Sequence, residues 1–584
     1  MRAVPAVVAS LSAVLSLAVA PPSLSAEENR GGFCDQVAAQ LGSGVVPPAR
    51  IPKSASIGNV DVRVLDVFDT TNDTETHFAH RLANRLHVST RPWVIERELL
   101  FSSGDPYDAR ALAESERRLR EHRGIYDACI APVRVRGGAV DVVVVTRDVW
   151  TLGVGAGVSR SGQANTVRFG LEDDNFLGTG RLLDLQYTDD PDRTEQRFRF
   201  QDPALLGTRA ELALMLAERS DGYRNTLDLA RPFFSFDARW SAGGRLVSHQ
   251  GEVKLYSRGE VVERFVMDQS FVEVRGGLSR GWNGSGAHRF LAGFTWDARE
   301  YDHDLVSPIE SWSPALLPHR PVPRRRLDPA PPPPAGPPPP RTVAYPWIGW
   351  QWVEDGFVER RNLDRLARTE DWNLGTQLNV RAGWSSPSWG ADDNEAVGAF
   401  EWSRGIATPR GRHIVLLDAG ASGRYGDGGA ANVLGAAQVR HFFSNFGRHQ
   451  LVSSLAFDAA RNLDPENQLL LGGDNGLRGY PMRFRDGDRR LLATIEQRFY
   501  SNVEVLELFH LGAAAFVDVG RAWYSDLVPG EADEVLRDVG VGLRLGSSRS
   551  AKGTMIHFDV AFPLDGSSSE RRSVQWLVRT KESF

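Results

Sequence analysis

The chain lacks much that a large protein usually has. Among 584 residues there are two cysteines, five methionines and four lysines. That excludes a disulfide-dense scaffold and a cysteine-rich metal module. Long apolar runs are missing too. Beyond the N-terminal stretch no run, Val142–Val145 included, approaches the about 20 residues a spanning helix needs. A polytopic helical membrane protein is excluded. The formal net charge of −6 argues against a chain built to bind nucleic acid. No Gly-Xaa-Ser-Xaa-Gly elbow stands between a strand and a helix, and no phosphate-binding loop is present. Neither an enzyme nor a cofactor is expected.

What is present points to turns, strands and interfacial aromatics: 57 glycines, 33 prolines and 15 tryptophans. At the N-terminus Arg2 precedes an apolar stretch from Val4 to Ala20, then the small residues Ser23, Ser25 and Ala26. This is the layout of a secretory signal peptide over residues 1–26. No lipobox precedes Cys34. An exported chain without spanning helices is soluble, or crosses a membrane as a closed barrel with every backbone group paired between strands.

Residues 27–57 read as a Gly-, Pro- and Ser-rich lead segment. From residue 58 to 147 the texture is mixed. Val60, Val62, Val64 and Phe68 alternate as in a half-buried strand, helical stretches follow over Arg91–Phe101 and Tyr107–His122, and two strands (Ile130–Arg136, Ala139–Thr146) are joined by Gly137-Gly138. The order strand, helix, helix, strand, strand, with Leu99 to Tyr107 and the Leu119…Gly124-Ile125-Tyr126 turn, resembles a POTRA (polypeptide-transport-associated) domain. A plain α+β spacer is the alternative. Such domains recognise extended chains along a sheet edge.

From residue 148 to 584 period-two segments recur. Leu183, Leu185 and Tyr187 face one way while Asp184, Gln186 and Thr188 face the other; Ile556, Phe558, Val560 and Phe562 alternate with His557 and Asp559. Many such segments make the cumulative pattern of a transmembrane β-barrel. Residues 321–341, with two blocks of four prolines, form stiff polyproline and cannot pair in a sheet, which suits a long extracellular loop.

Asp173 to Gly180, Gln201-Asp202-Pro203, Gly472 to Tyr480, Ala493 to Phe499 and Phe516 to Trp523 occur in this order. Together they resemble the BamA/TamA family of outer-membrane assembly and translocation barrels (the bacterial surface-antigen family). The resemblance implies a mainly β fold: a transmembrane antiparallel barrel of about 16 strands preceded by one POTRA domain. Alternation offers roughly twenty strand pieces, the excess being assigned to extracellular hairpins. It implies a lumen loop bearing Leu477, Arg478, Gly479 and Tyr480. Arg478 would face Glu496 and Asp518 on the barrel wall near Gly520. A guanidinium suits this role because its fork can hold two carboxylates and stays charged.

The resemblance further implies a lateral seam between the first and last strands, near Trp150, Trp576 and Phe584. The partners it implies are unfolded outer-membrane or secreted polypeptides, with outer-membrane lipid and lipopolysaccharide around the barrel; accessory assembly proteins are not specified. The expected location is the outer membrane with the POTRA domain in the periplasm. The expected activity is insertion or translocation of other proteins, the alternatives being a two-partner-secretion transporter or a passive pore. Cys34 and Cys129 either form a disulfide or stay as two buried thiols. His77, His80 and His87 lack partners for a metal site and read as surface residues.

Overall fold

The computed structural model describes residues 32–41, 45–69, 78–161, 164–302, 338–361, 363, 368–409, 411–444, 449–505, 509–525, 534–547, 555–566 and 574–581. The signal-peptide stretch, residues 321–337 of the proline-rich run, His77 and Phe584 lie outside them.

The N-terminal domain holds α1 (Phe33–Leu41), β1 (Ser56–Leu65), α2 (Phe78–Leu86), α3 (Pro92–Glu98), α4 (Ala109–Glu121), β2 (Ile125–Arg136) and β3 (Ala139–Asp148). Its sheet has the order β1-β3-β2, with β1 parallel and β2 antiparallel to β3. Asp108 caps α4 by accepting from the Arg110 N–H at 2.9 Å. Leu112 and Leu119 then face the sheet, in a core with Ile57, Ile95, Ile125, Val140 and Val144. Gly137 and Gly138 both take positive φ in the β2–β3 turn.

Two expectations need correction here. The lead segment is partly helical: α1 sets Phe33 and Val37 against β2 and β3. Among the described residues three helices, not two, lie between β1 and β2. The cysteines are joined, Cys34 to Cys129, across 95 residues of chain with 5.2 Å between Cα atoms. The tie adds a covalent link to the packing of Phe33, Val37 and Leu41 against the sheet.

From Leu152 to Lys581 a closed barrel follows. It has 20 strands, not the expected 16. The extra segments are in the wall itself, each hydrogen-bonded to its neighbours in sequence order, rather than hairpins above it. Some strands are also longer than a bilayer needs: Glu260–Trp282 has 23 residues, against about 9–11 for a tilted spanning strand. Alternation sorts the side chains. Val154 (78% exposed), Ile348 (71%), Phe290, Phe400, Val541 and Phe558 point outward. Glu273 and Arg381, and Asp184 and Arg197, pair on the inner face. An apolar exterior around a charged interior inverts the pattern of a soluble protein and matches a barrel in lipid.

With strand number the diameter grows, and at this size the lumen is too wide for wall side chains alone to fill. Among the described residues, two chain segments enter it. One is the loop between strands Gln450–Arg461 and Arg489–Val505, which carries a short antiparallel pair, Leu469–Leu471 with Arg485–Gly487. The other is a hairpin, Phe357–Arg361 with Thr369–Asn373, on the N-terminal-domain side.

Candidate functional site

The loop from the far side of the barrel carries Leu477-Arg478-Gly479-Tyr480. Arg478 donates to both oxygens of Asp518, from Nε at 2.7 Å and Nη2 at 2.9 Å, and from Nη1 to Glu496 at 2.7 Å. Its guanidinium lies 3.3 Å from the centre of the Phe516 ring. Glu496 and Asp518 are wall residues on adjacent strands, and Thr494 adds a 2.8 Å bond to Asp518. Asp518 is fully buried. A buried carboxylate without its cation is costly, so the wall and the loop require each other.

The neighbours of Arg478 fix the loop backbone. Gly479 approaches the wall closely: a Cβ there would lie 2.5 Å from Cβ of Asp538. Its N–H donates to Asp538 at 3.0 Å. Close approach, not a positive φ, is what requires glycine at this position. Tyr480 is buried and donates its hydroxyl to the Arg537 carbonyl at 3.0 Å. Leu477 packs with Leu471, Tyr480, Ala522 and Leu536. Gly520 leaves space for it, since a Cβ there would meet Leu471 and Leu477 at 3.0 and 3.1 Å.

Sequence reasoning missed part of this cluster. Arg498 donates to Glu496 at 3.1 Å, and Arg544, fully buried, pairs with Asp559 and reaches Glu496 at 3.6 Å. Arg498 is two residues from Glu496, hence on the same strand face. That was the available signal. Arg544 and Asp559 sit at inward positions of alternating strands but carried no motif. On the far side the loop is held by Arg483, which donates to Asp192 at 2.9 Å and also bonds the Tyr256 hydroxyl. Asp192 lies in a turn beyond the wall, and although burial pushes its carboxyl up, the Arg483 and Lys254 contacts outweigh this and hold it down at about 2.

The first strand (Leu152–Ser161) and the last (Gln575–Lys581) close the barrel through one described pair, Val578 opposite Arg160. The next junction, between Met555–Pro563 and Gln575–Lys581, has seven pairs. The loop reaches this seam. The Gly473 carbonyl accepts from Ser161 Oγ at 2.7 Å and from Arg579, which also bonds Ser161 at 2.6 Å. One loop carbonyl therefore bridges the two seam strands. Trp150 precedes the first strand instead of lying in it; its indole N–H bonds the Leu152 carbonyl. Trp576 is on the last strand, exposed, opposite Val560.

The N-terminal domain closes the other mouth. Arg120 on α4 donates to both oxygens of Asp371 at 2.7 Å and to Glu359 at 2.9 Å, both on the hairpin. Arg368 donates to the Ile125 carbonyl at 2.7 Å and Thr369 to Asp127 at 2.9 Å. Within the domain Glu116 accepts from Arg120 and from the Ile130 N–H, both at 2.7 Å. Burial nonetheless pushes its carboxyl above the usual range. The hairpin then extends into the lumen, where Leu363 packs with Ile414, Leu416, Phe442 and Val452. Arg498 donates to the Leu363 carbonyl at 2.9 Å. The two inserts thus converge on one ion pair of the wall, one bonding Glu496 and the other bonding Arg498.

The barrel's tight turns also hold the domain. Asn175 accepts from the Gly180 N–H at 2.7 Å and donates to Thr90 at 2.8 Å, while Gly178 accepts from the Arg91 N–H at 3.0 Å. The histidines correct another expectation: His80 is buried and stacked 4.4 Å from Phe68, and His87 bonds Asp148 at 2.9 Å. They are structural, not surface residues.

Fold and site together define a large closed barrel with an apolar exterior, a clamped lumen loop, a seam of one described pair and an α+β domain docked at one mouth. No family model and no curated protein matches the chain. Similar solved structures include BamA from Haemophilus ducreyi lacking POTRA domains 1–3 (14% identity, 89% of this chain and 84% of that one, TM-score 0.35). CdiB from Acinetobacter baumannii matches at 12% identity over 90% of this chain and 73% of that one, with a TM-score of 0.41. CdiB from Escherichia coli matches at 12% over 93% and 95%, with a TM-score of 0.32. Likenesses this low carry no functional inference, which has to come from the chain's own residues.

Proposed function

We propose that this chain is an outer-membrane barrel that assists insertion of other polypeptides, with the N-terminal domain as a single POTRA unit in the periplasm. The observation that carries the reading is the seam. One described pair joins the first and last strands, and a loop carbonyl bridges them. Unpaired backbone groups in lipid are costly, so a seam that opens becomes a template for an incoming strand. The client is first held along an edge of the β1-β3-β2 sheet and is then passed to that template. The work is strand pairing and needs no catalytic residue.

A translocation reading of the two-partner-secretion kind is favoured by a different feature. A cavity of about 540 Å³ in the lumen is lined by polar residues such as Glu401, Asp418 and Gln438 interleaved with Trp402, Ala436 and Ala437, a mixed surface suited to an unfolded chain. Passage along it requires the hairpin to leave. A passive pore fits less well, because two inserts occupy the lumen.

A cysteine pair placed at the facing positions, Arg160→Cys with Val578→Cys, tests the insertion reading. Oxidation is expected to stop assembly of an unfolded porin into vesicles holding the protein, and reduction to restore it. Each single-cysteine variant, carried through the same redox steps, controls for the Cys34–Cys129 bond. A locked seam that assembles porin at the unlocked rate overturns insertion through the seam.

A further inference from the structure

The second helix of the N-terminal domain turns an uncovered face outward. On α2, His80 and Asn84 point into the domain: His80 stacks on Phe68, and Asn84 donates to the Phe68 carbonyl at 2.8 Å and accepts from its N–H at 3.1 Å. His87, just past the helix, continues this inner face through its bond to Asp148. The opposite face carries Phe78 (73% exposed), Leu82 and Leu86 (64%) at i, i+4 and i+8. Arg81 and Arg85, both exposed, flank that stripe along one side. Three large apolar side chains in a row, edged by arginine, make a poor water-facing surface and a good interfacial one.

Its position says what covers it. Just beyond α2, Val88 is exposed, and the Val88-Ser89 segment sits against Gly178 in the barrel turn: a Cβ on Gly178 would meet the Ser89 carbonyl oxygen at 2.4 Å and Val88 Cγ1 at 3.4 Å. Leu177 in that turn and Leu206 in the next (89%) project as exposed apolar residues. Leu152, Val154 and Val158, at the start of the outward apolar face on the first strand, lie close by in the chain after β3. The C-terminal end of α2 is thus anchored, through Val88 and Ser89, at a barrel rim turn that borders the lipid-facing wall.

We infer that α2 docks on the inner-leaflet surface of the membrane that surrounds the barrel, beside the first strand of the seam. Phe78, Leu82 and Leu86 enter the headgroup–acyl boundary, and Arg81 and Arg85 pair with anionic phospholipid phosphates. This fixes the height and orientation of the domain against the bilayer, a restraint additional to its contacts with the barrel. The inference rests on the barrel spanning a bilayer, but not on which polypeptide it serves.

The test uses the full chain in phosphatidylcholine–phosphatidylglycerol vesicles containing shallow spin-labelled lipid. A polarity-sensitive dye is attached at Leu82→Cys, at Val158→Cys on the lipid face, or at Arg136→Cys. Arg136 is exposed at the opposite end of β2 from Ile125, which contacts the hairpin. The dyes at positions 82 and 158 are expected to be quenched at least about twofold more than the dye at 136. Quenching at 158 without quenching at 82 overturns the docking alone. Quenching at 82 that appears only after urea-unfolded porin is added also overturns it, and assigns the face to a polypeptide. Absence of quenching at 158 removes the spanning barrel and the docking together.

Discussion

The two segments that enter the lumen are held by opposite strategies. The loop with Arg478 bonds to the wall of its own barrel: Asp518, Glu496 and Asp538 grip it, and its Leu471, Leu477 and Tyr480 pack against Ala522 and Leu536 of the wall. The hairpin Phe357–Asn373 shares its charges with another domain, through Arg120 to Asp371 and Glu359, and buries mainly Leu363. The loop is part of the barrel's own stability. The hairpin is a joint whose strength depends on where the N-terminal domain sits. An insert that must clear the lumen while the barrel stays folded is more readily built the second way.

The largest expected effect breaks the first strategy. Arg478→Ala leaves Glu496 and Asp518 buried without their main counter-charge and should cost about 3–5 kcal/mol. Loss of heat resistance of the folded barrel on electrophoresis would register it. Arg478→Lys should recover only part, because an ammonium cannot serve both oxygens of Asp518 and Glu496 with one planar fork.

Arg120→Ala sharpens the contrast. Hydrogen exchange should speed up across residues 357–361 and 368–373 while 477–480 and barrel heat resistance stay as they were. A loss of heat resistance comparable to that of Arg478→Ala would show that the hairpin belongs to the barrel's stability after all.

The smallest effect is at the loop's outer anchor. Asp192 has its carboxyl held down at about 2, below the unfolded value of about 3.9. The folded state therefore gains from this group above the unfolded value, fully so at neutral pH. The gain is lost as acid carries the pH from about 4 down through about 2. Asp192→Asn should remove that part of the acid dependence of loop protection, measured by hydrogen exchange at 469–487, without touching the hairpin.

Much of this arrangement was legible because strands advertise their faces. Alternation separated Leu185 from Asp184 and Phe558 from Asp559 long before their register was known. The Arg478 loop was readable through the family resemblance that its motif carries, and the acids implied as its partners, Glu496 and Asp518, do lie on adjacent wall strands within its reach. The strand count was legible in the alternation, which offers roughly twenty pieces. The resemblance lowered it to about 16 by assigning the excess to hairpins, and pairing around the circumference puts all 20 strands in the wall. The α1 helix stayed hidden because its stabilisation comes from Cys129 and β2, 95 residues away in the case of the disulfide. His87 misled for a similar reason, since Asp148 lies 61 residues on, and His80 because its partner Phe68 belongs to the segment after β1 rather than to its own helix.

The Cys34–Cys129 tie has a mechanical consequence. It turns the stretch from α1 to β2 into a covalent ring enclosing β1 and three helices. The ring closes only where thiols oxidise, after residue 129 has arrived there. Under the proposed function, tension from a chain held along the sheet edge loads a hoop with no free end, and α1 cannot peel away as the first casualty of the pull.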